Sequence, residues 1–170
     1  MKKLRPTIPV HEWKLSINLK ATREIQNQSG NPAFDCNCQS CMDWRSSFKE
    51  FFPTELLGQL QRVGIDLEHP TDLYQYNETN DGSSLRIVYH AVGKILEGPN
   101  QWTKNEMGDV LMYREVRQTP YVSIVVFPQS QSYDHAPVLE NTASGDLVRL
   151  DLRLLMPSKY CRSGNVPGSA

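Results

Sequence analysis

Two stretches far apart in the chain alternate apolar and polar residues without a break. Over residues 13–20, Trp13, Leu15, Ile17 and Leu19 fall on one side and Lys14, Ser16, Asn18 and Lys20 on the other. Near the far end, Val148, Leu150, Leu152 and Leu154 alternate with Arg149, Asp151 and Arg153. A period of two is that of a β-strand with one buried face. Such strands must lay their apolar side against a second layer, so the chain is expected to build a sheet with a covered face.

The cover is read from residues 39–64. Cys41, Trp44, Phe48 and Phe51 recur at i, i+3, i+7 and i+10, the stripe of a helix packed on a sheet. Pro53 ends that helix and suits the start of the next, where its missing N–H costs nothing. Leu56, Leu57, Leu60 and Val63 form the second apolar face, and Gly64 is placed to stop it. Residues 28–35, with Ser29-Gly30-Asn31-Pro32, read as a loop.

Strand signals follow. Residues 73–76 are a short candidate, Asn80-Asp81-Gly82 a turn, and residues 85–96 a long central strand closed by Gly98-Pro99-Asn100. Residues 111–116 are a weaker strand. Residues 121–127 are nearly all apolar, which predicts a strand covered on both faces. Residues 147–155 form the last strand. The helices are adjacent rather than interleaved with strands, which argues against a doubly wound fold. The expectation is an α+β fold: a mostly antiparallel sheet with a helical pair (about residues 39–64) packed on it. At 170 residues the length suits one domain, expected over 1–162 with a flexible tail over 163–170.

Charge and composition exclude several roles. The formal net charge is -1 and the pI about 6.4, without the basic footprint of a nucleic-acid binder. The basic cluster Lys2, Lys3 and Arg5 sits at an end expected to fray. Pro6, Pro9, His11 and Glu12 interrupt any signal-peptide pattern, and no apolar run nears the ~20 residues that span a bilayer. A cytoplasmic protein without membrane or nucleic-acid partners is therefore expected. Nucleophile-elbow, P-loop, dinucleotide-fingerprint and H-E-x-x-H motifs are all missing.

The sharp feature is Cys36-Asn37-Cys38-Gln39-Ser40-Cys41. If the chain is extended through Cys38 and helical from Gln39, residues i and i+2 and then i and i+3 share a side. All three sulfurs then converge near a helix N-terminus, which favours thiolate. Three readings stay open. One is a structural metal site, most plausibly zinc, with Cys36, Cys38 and Cys41 as ligands. Its fourth ligand is sought in Cys161 or His90, with His11, Asp35 and Asp43 as further candidates. The second is thiol redox chemistry on the Cys38-x-x-Cys41 spacing. The third treats the cysteines as small buried hydrophobes beneath the helix. His90, inside Val88-Tyr89-His90-Ala91-Val92, reads first as a satisfied core residue, and Trp13 and Trp44 as core packing.

The segment from Phe34 to Arg45, with residues 57–66, Pro70-Thr71-Asp72-Leu73-Tyr74 and Tyr89-His90-Ala91-Val92-Gly93-Lys94-Ile95-Leu96, resembles a group of small bacterial proteins. In that group a C-D-C-x-x-C-x-N-[FW]-R motif precedes a helical pair and a Y-H-x-V-G-[KE]-I-L strand. The likeness runs over residues 12–98 and thins in the C-terminal third. Asn37 stands where the group has Asp and Asp43 where it has Asn, and neither change removes a sulfur. The resemblance implies motif positions and no activity. The chain is thus expected to be a non-catalytic domain that binds a protein or small-molecule partner, with a structural cysteine knuckle. The alternative is a small cysteine-dependent redox or metal-dependent enzyme.

Overall fold

The structure is a computed structural model that describes residues 4–139 and 146–162. Lys2, Lys3 and the tail expected over 163–170 lie outside the described residues. The chain runs β1 (Thr7–Val10), β2 (Trp13–Ile17), α1 (Leu19–Gln26), α2 (Gln39–Phe51), α3 (Thr54–Val63), β3 (Asp72–Thr79) and β4 (Gly82–Glu97). It continues through β5 (Trp102–Asn105), β6 (Gly108–Leu111), β7 (Arg114–Arg117), β8 (Val122–Pro128) and β9 (Asp146–Pro157). Seven strands form one antiparallel sheet in the order β1-β2-β4-β9-β8-β7, with β3 also paired to β4, while β5 and β6 make a separate hairpin. This is the α+β architecture expected. Among the described residues no helix is long and apolar enough to cross a membrane.

The alternating strands do as their pattern demands. Leu15, Ile17, Leu150 and Leu152 are fully buried, facing the layer made by α2 and α3. Trp44 anchors that layer: its ring stacks on Phe48 at 5.4 Å and meets Phe51 and Phe52 edge-on. Its indole Nε1–H donates to the Leu67 carbonyl at 2.8 Å, and the Tyr89 hydroxyl from β4 donates to the same oxygen at 2.6 Å. One carbonyl therefore ties helix to sheet, and both large rings bury without an orphaned donor. Gly64 ends α3 with φ of 95°, the left-handed cap its position predicted.

Three departures from the sequence expectation have local causes. The strand expected over 13–20 stops at Ile17, because Asn18 caps a helix by accepting from the Ala21 N–H at 3.1 Å. That helix, α1, fills a gap along one edge of β4, between the stretches paired to β3 and to β2. There Thr22 Oγ1 accepts the Val92 N–H at 2.9 Å, and Gln26 Nε2 donates to the His90 carbonyl at 2.9 Å. Side chains thus complete the ladder where no strand lies. Gly93, just beyond, is required by close approach: a Cβ there would meet the Ser16 carbonyl oxygen at 2.0 Å. The strand expected over 111–116 is broken at Met112 and Tyr113, between β6 and β7. Finally, β1 was not foreseen. Its Pro9 is tolerated because β1 is an edge strand.

Candidate functional site

The turn leading into α2 is held at several points. Ala33 is buried and its N–H donates to the Thr71 carbonyl at 3.3 Å. Phe34 packs beside the His69 ring, with centroids 6.0 Å apart. Cys38 is the N-cap of α2, extended at φ -63° and ψ 161°, and its carbonyl accepts the first helical bond from Met42 N–H at 3.0 Å. From within the helix, Arg45 Nη2 reaches back to the Cys36 carbonyl at 2.7 Å and the Asn37 Oδ1 at 3.3 Å. This clamp closes the loop onto the helix start.

The result is the convergence the spacing predicted. The sulfurs of Cys36, Cys38 and Cys41 all lie within 4.8 Å of one another. None is in a disulfide, and burial grades from exposed Cys38 through half-buried Cys36 to buried Cys41. A tetrahedral zinc at Zn–S of ~2.3 Å holds its sulfurs about 3.8 Å apart, so a group of three within 4.8 Å is close enough to share one ion.

The thiols are electrostatically unequal. The Cys38 backbone N–H points at Cys36 Sγ, at 3.5 Å, and together with the neighbouring thiols and the Arg45 charge it holds the Cys36 pKa below its ordinary value. Burial pushes the Cys41 thiol strongly upward, and the adjacent Cys38 and Cys36 add to that. A cation bound between the sulfurs would reverse the effect at Cys41 by stabilising the thiolate.

The fourth-ligand candidates are placed elsewhere. Cys161 is half-buried with its thiol directed at the Met156 and Pro157 carbonyls, each 3.5 Å away, and it does not join the triad. Asp43 is buried with both carboxylate oxygens engaged, one by Gln39 Nε2 at 2.7 Å and one by the Arg162 N–H at 2.9 Å. Asp35 is exposed, and His11 sits in the β1–β2 turn against the Glu115 carbonyl. His90 alternates with Tyr89 along β4, so it projects from the opposite face of the sheet. Its Nδ1 meets Thr71 Oγ1 at 2.8 Å and its Nε2 meets Gln129 Oε1 at 2.6 Å, which makes it the satisfied core histidine first expected. Among the described residues the triad is the one metal-ready group.

No family model, curated protein or solved structure matches the chain. Geometry carries the functional argument.

That geometry includes a second cluster which sequence reasoning missed. The polar face of β9, expected to meet solvent, is buried over part of its length: Arg149 is 2% exposed and Asp151 0%, while Arg153 is exposed. Asp151 accepts from Arg86 of the paired strand, from Arg149 and from the Tyr113 hydroxyl. The signal available was an acidic residue flanked by arginines in a strand. Its other partners, Arg86 and Tyr113, come from β4 and from the segment between β6 and β7, which no local pattern reveals.

Proposed function

We propose that this protein is a metal-binding domain, in which Cys36, Cys38 and Cys41 hold one zinc-class ion and the loaded knuckle fixes the turn into α2. The observation that carries this reading is the mutual approach of three unpaired sulfurs within 4.8 Å on a clamped turn. Thiolates suit zinc and other soft cations. The helix N-terminus and Arg45 both favour the deprotonated sulfur that coordination needs. With three protein sulfurs, the fourth position of a zinc ion goes to solvent or to a ligand from a partner. The domain itself acts by binding a protein or small molecule rather than by catalysis.

The test is Cys38→Ser, melted with and without a chelator. Cys38 is the sulfur related to both others by same-side spacing. Its loss forfeits part of the ~10–16 kcal/mol that structural zinc supplies. The wild type should melt lower in chelator, and the variant should melt low in both conditions. Four identical melts would remove the metal reading.

The opposed displacement of the Cys36 and Cys41 thiols favours a second reading, dithiol exchange. Cys36 thiolate would attack a partner disulfide and release one partner thiolate. Cys41, giving up its proton, would then displace the second, leaving a Cys36–Cys41 disulfide and a partner dithiol. In that case Cys38→Ser leaves the melt unmoved and chelator is without effect.

A further inference from the structure

The buried charges on the second face of the sheet do not balance among themselves. Asp151 lies beneath two guanidiniums: Arg86 donates through Nε at 2.9 Å and Nη2 at 2.6 Å, and Arg149 through Nε at 3.1 Å. One carboxylate between two arginines leaves a surplus positive charge. The Arg149 side chain is only 3% exposed and Arg86 16%, so bulk water screens that surplus poorly. Buried charge of this kind calls for a counter-ion.

Among the described residues the group that supplies it is Asp134, from the loop after β8. A single oxygen, Oδ2, lies 3.2 Å from Arg149 Nη2 and 3.8 Å from Arg86 Nη2. Yet the Asp134 side chain is 58% exposed, so this carboxylate keeps much of its hydration and rests on the arginines from outside. The loop is held by the Gln129 side chain and by Ser132, through the Asp134 backbone rather than its carboxylate. Rotation about the Asp134 side chain would therefore break its contacts with both arginines while leaving these backbone bonds in place.

We propose that Arg86 and Arg149 form a binding seat for the oxyanion of a small-molecule ligand, a carboxylate or a phosphate, and that Asp134 is an internal occupant which the ligand displaces. A planar fork suits such oxyanions, and two forks already fixed by Asp151 below lose little freedom on binding. The rim extends the seat. Tyr74, 41% exposed, accepts from Arg86 Nη1 at 2.8 Å. Beside it Arg153 lies 4.5 Å over the Tyr113 ring and 5.7 Å from that of Tyr76, which is 50% exposed. A third cation and two accessible aromatic rings thus flank the arginine pair, fitting a ligand whose oxyanion is joined to a flat body. This site shares no residue with the thiol triad, and its failure would leave the metal reading untouched.

The experiment titrates inorganic phosphate, and separately succinate, into wild type and Asp134→Asn at fixed ionic strength, following the arginine Nε–H resonances by NMR. The Arg86 and Arg149 signals should shift saturably, with the variant binding about fivefold to tenfold more tightly because its own carboxylate no longer competes. Adding Arg86→Gln should abolish that gain. Response to phosphate alone or to succinate alone assigns the ligand class. Asp134→Ser repeats the comparison should the Asn form fold poorly. Equal affinities with and without the Asp134 charge, or no saturable shift up to roughly 50 mM anion under constant screening, would overturn the proposal.

Discussion

Acidification gives a sharp test of how the second face of the sheet is built. His90 is buried between Thr71 and Gln129, and Gln129 Nε2 donates to the Asp134 carbonyl at 3.1 Å, which turns its Oε1 toward the imidazole. That assignment makes His90 neutral with its proton on Nε2. Burial lowers its pKa from 6.5 to about 4, opposed by the hydrogen bond to Gln129 and reinforced by the Arg149 charge. In the unfolded chain the same histidine titrates near 6.5. Between pH 6.5 and 4 the unfolded state therefore carries a proton the folded state refuses, and stability falls as pH falls. The contribution is complete above the unfolded pKa and lost progressively toward pH 4. At 1.36 kcal/mol per pH unit the full loss is roughly 3 kcal/mol, of which about 2.5 kcal/mol is gone by pH 4.5. Urea denaturation of wild type and His90→Gln from pH 7.5 to 4.5 isolates this term, since other acid-sensitive groups are common to both. Wild type should lose about 2.5 kcal/mol more than the variant over that range. Parallel curves, or a His90 ring signal titrating near 6.5 in the folded protein, would refute the argument.

Two further outcomes follow from the same geometry. Asp151→Leu leaves two buried guanidiniums without their shared carboxylate, which costs about 3–5 kcal/mol and lowers the melting temperature by roughly 10 °C in a chain of this size; a shift under about 2 °C would mean that Arg86 and Arg149 find solvent instead. In metal-free protein at neutral pH, timed alkylation read by peptide mass should modify Cys36 well ahead of Cys41, in line with their opposite thiol displacements and burial; the reverse order would contradict the orientation of the knuckle.

What was legible in the sequence depended on whether a signal was local. Trp44, Phe48 and Phe51 lie on one stripe of a helix, so period located α2, while a nearly unbroken apolar run from Val122 to Phe127 located β8. The triad was legible for the same reason, since spacings of two and three residues fix the direction of a side chain once the helix start is known. Helix α1 was not. Its buried face is Ala21, Thr22, Ile25 and Gln26, half of it polar, because two of those side chains serve the backbone of β4 rather than an apolar layer. The strand alternation also runs on through Leu19 and Lys20, hiding the cap at Asn18. The hairpin of β5 and β6 is mostly exposed and carries no apolar pattern to read. The arginine seat depends on register: Arg86 pairs with Arg153 across β4 and β9, which sets Asp151 diagonally beside it. Cross-strand registry of that kind is a property of the folded sheet.

The central claim concerns the triad, and metal content with a thiol count tests it most directly. Protein purified in the presence of zinc and then desalted should carry one zinc per chain. Of the four cysteines, all unpaired in the structure, Cys36, Cys38 and Cys41 should resist a thiol reagent until chelator is added, after which all four should react. Zinc-free protein whose thiols react at the same rate with and without chelator would contradict the account.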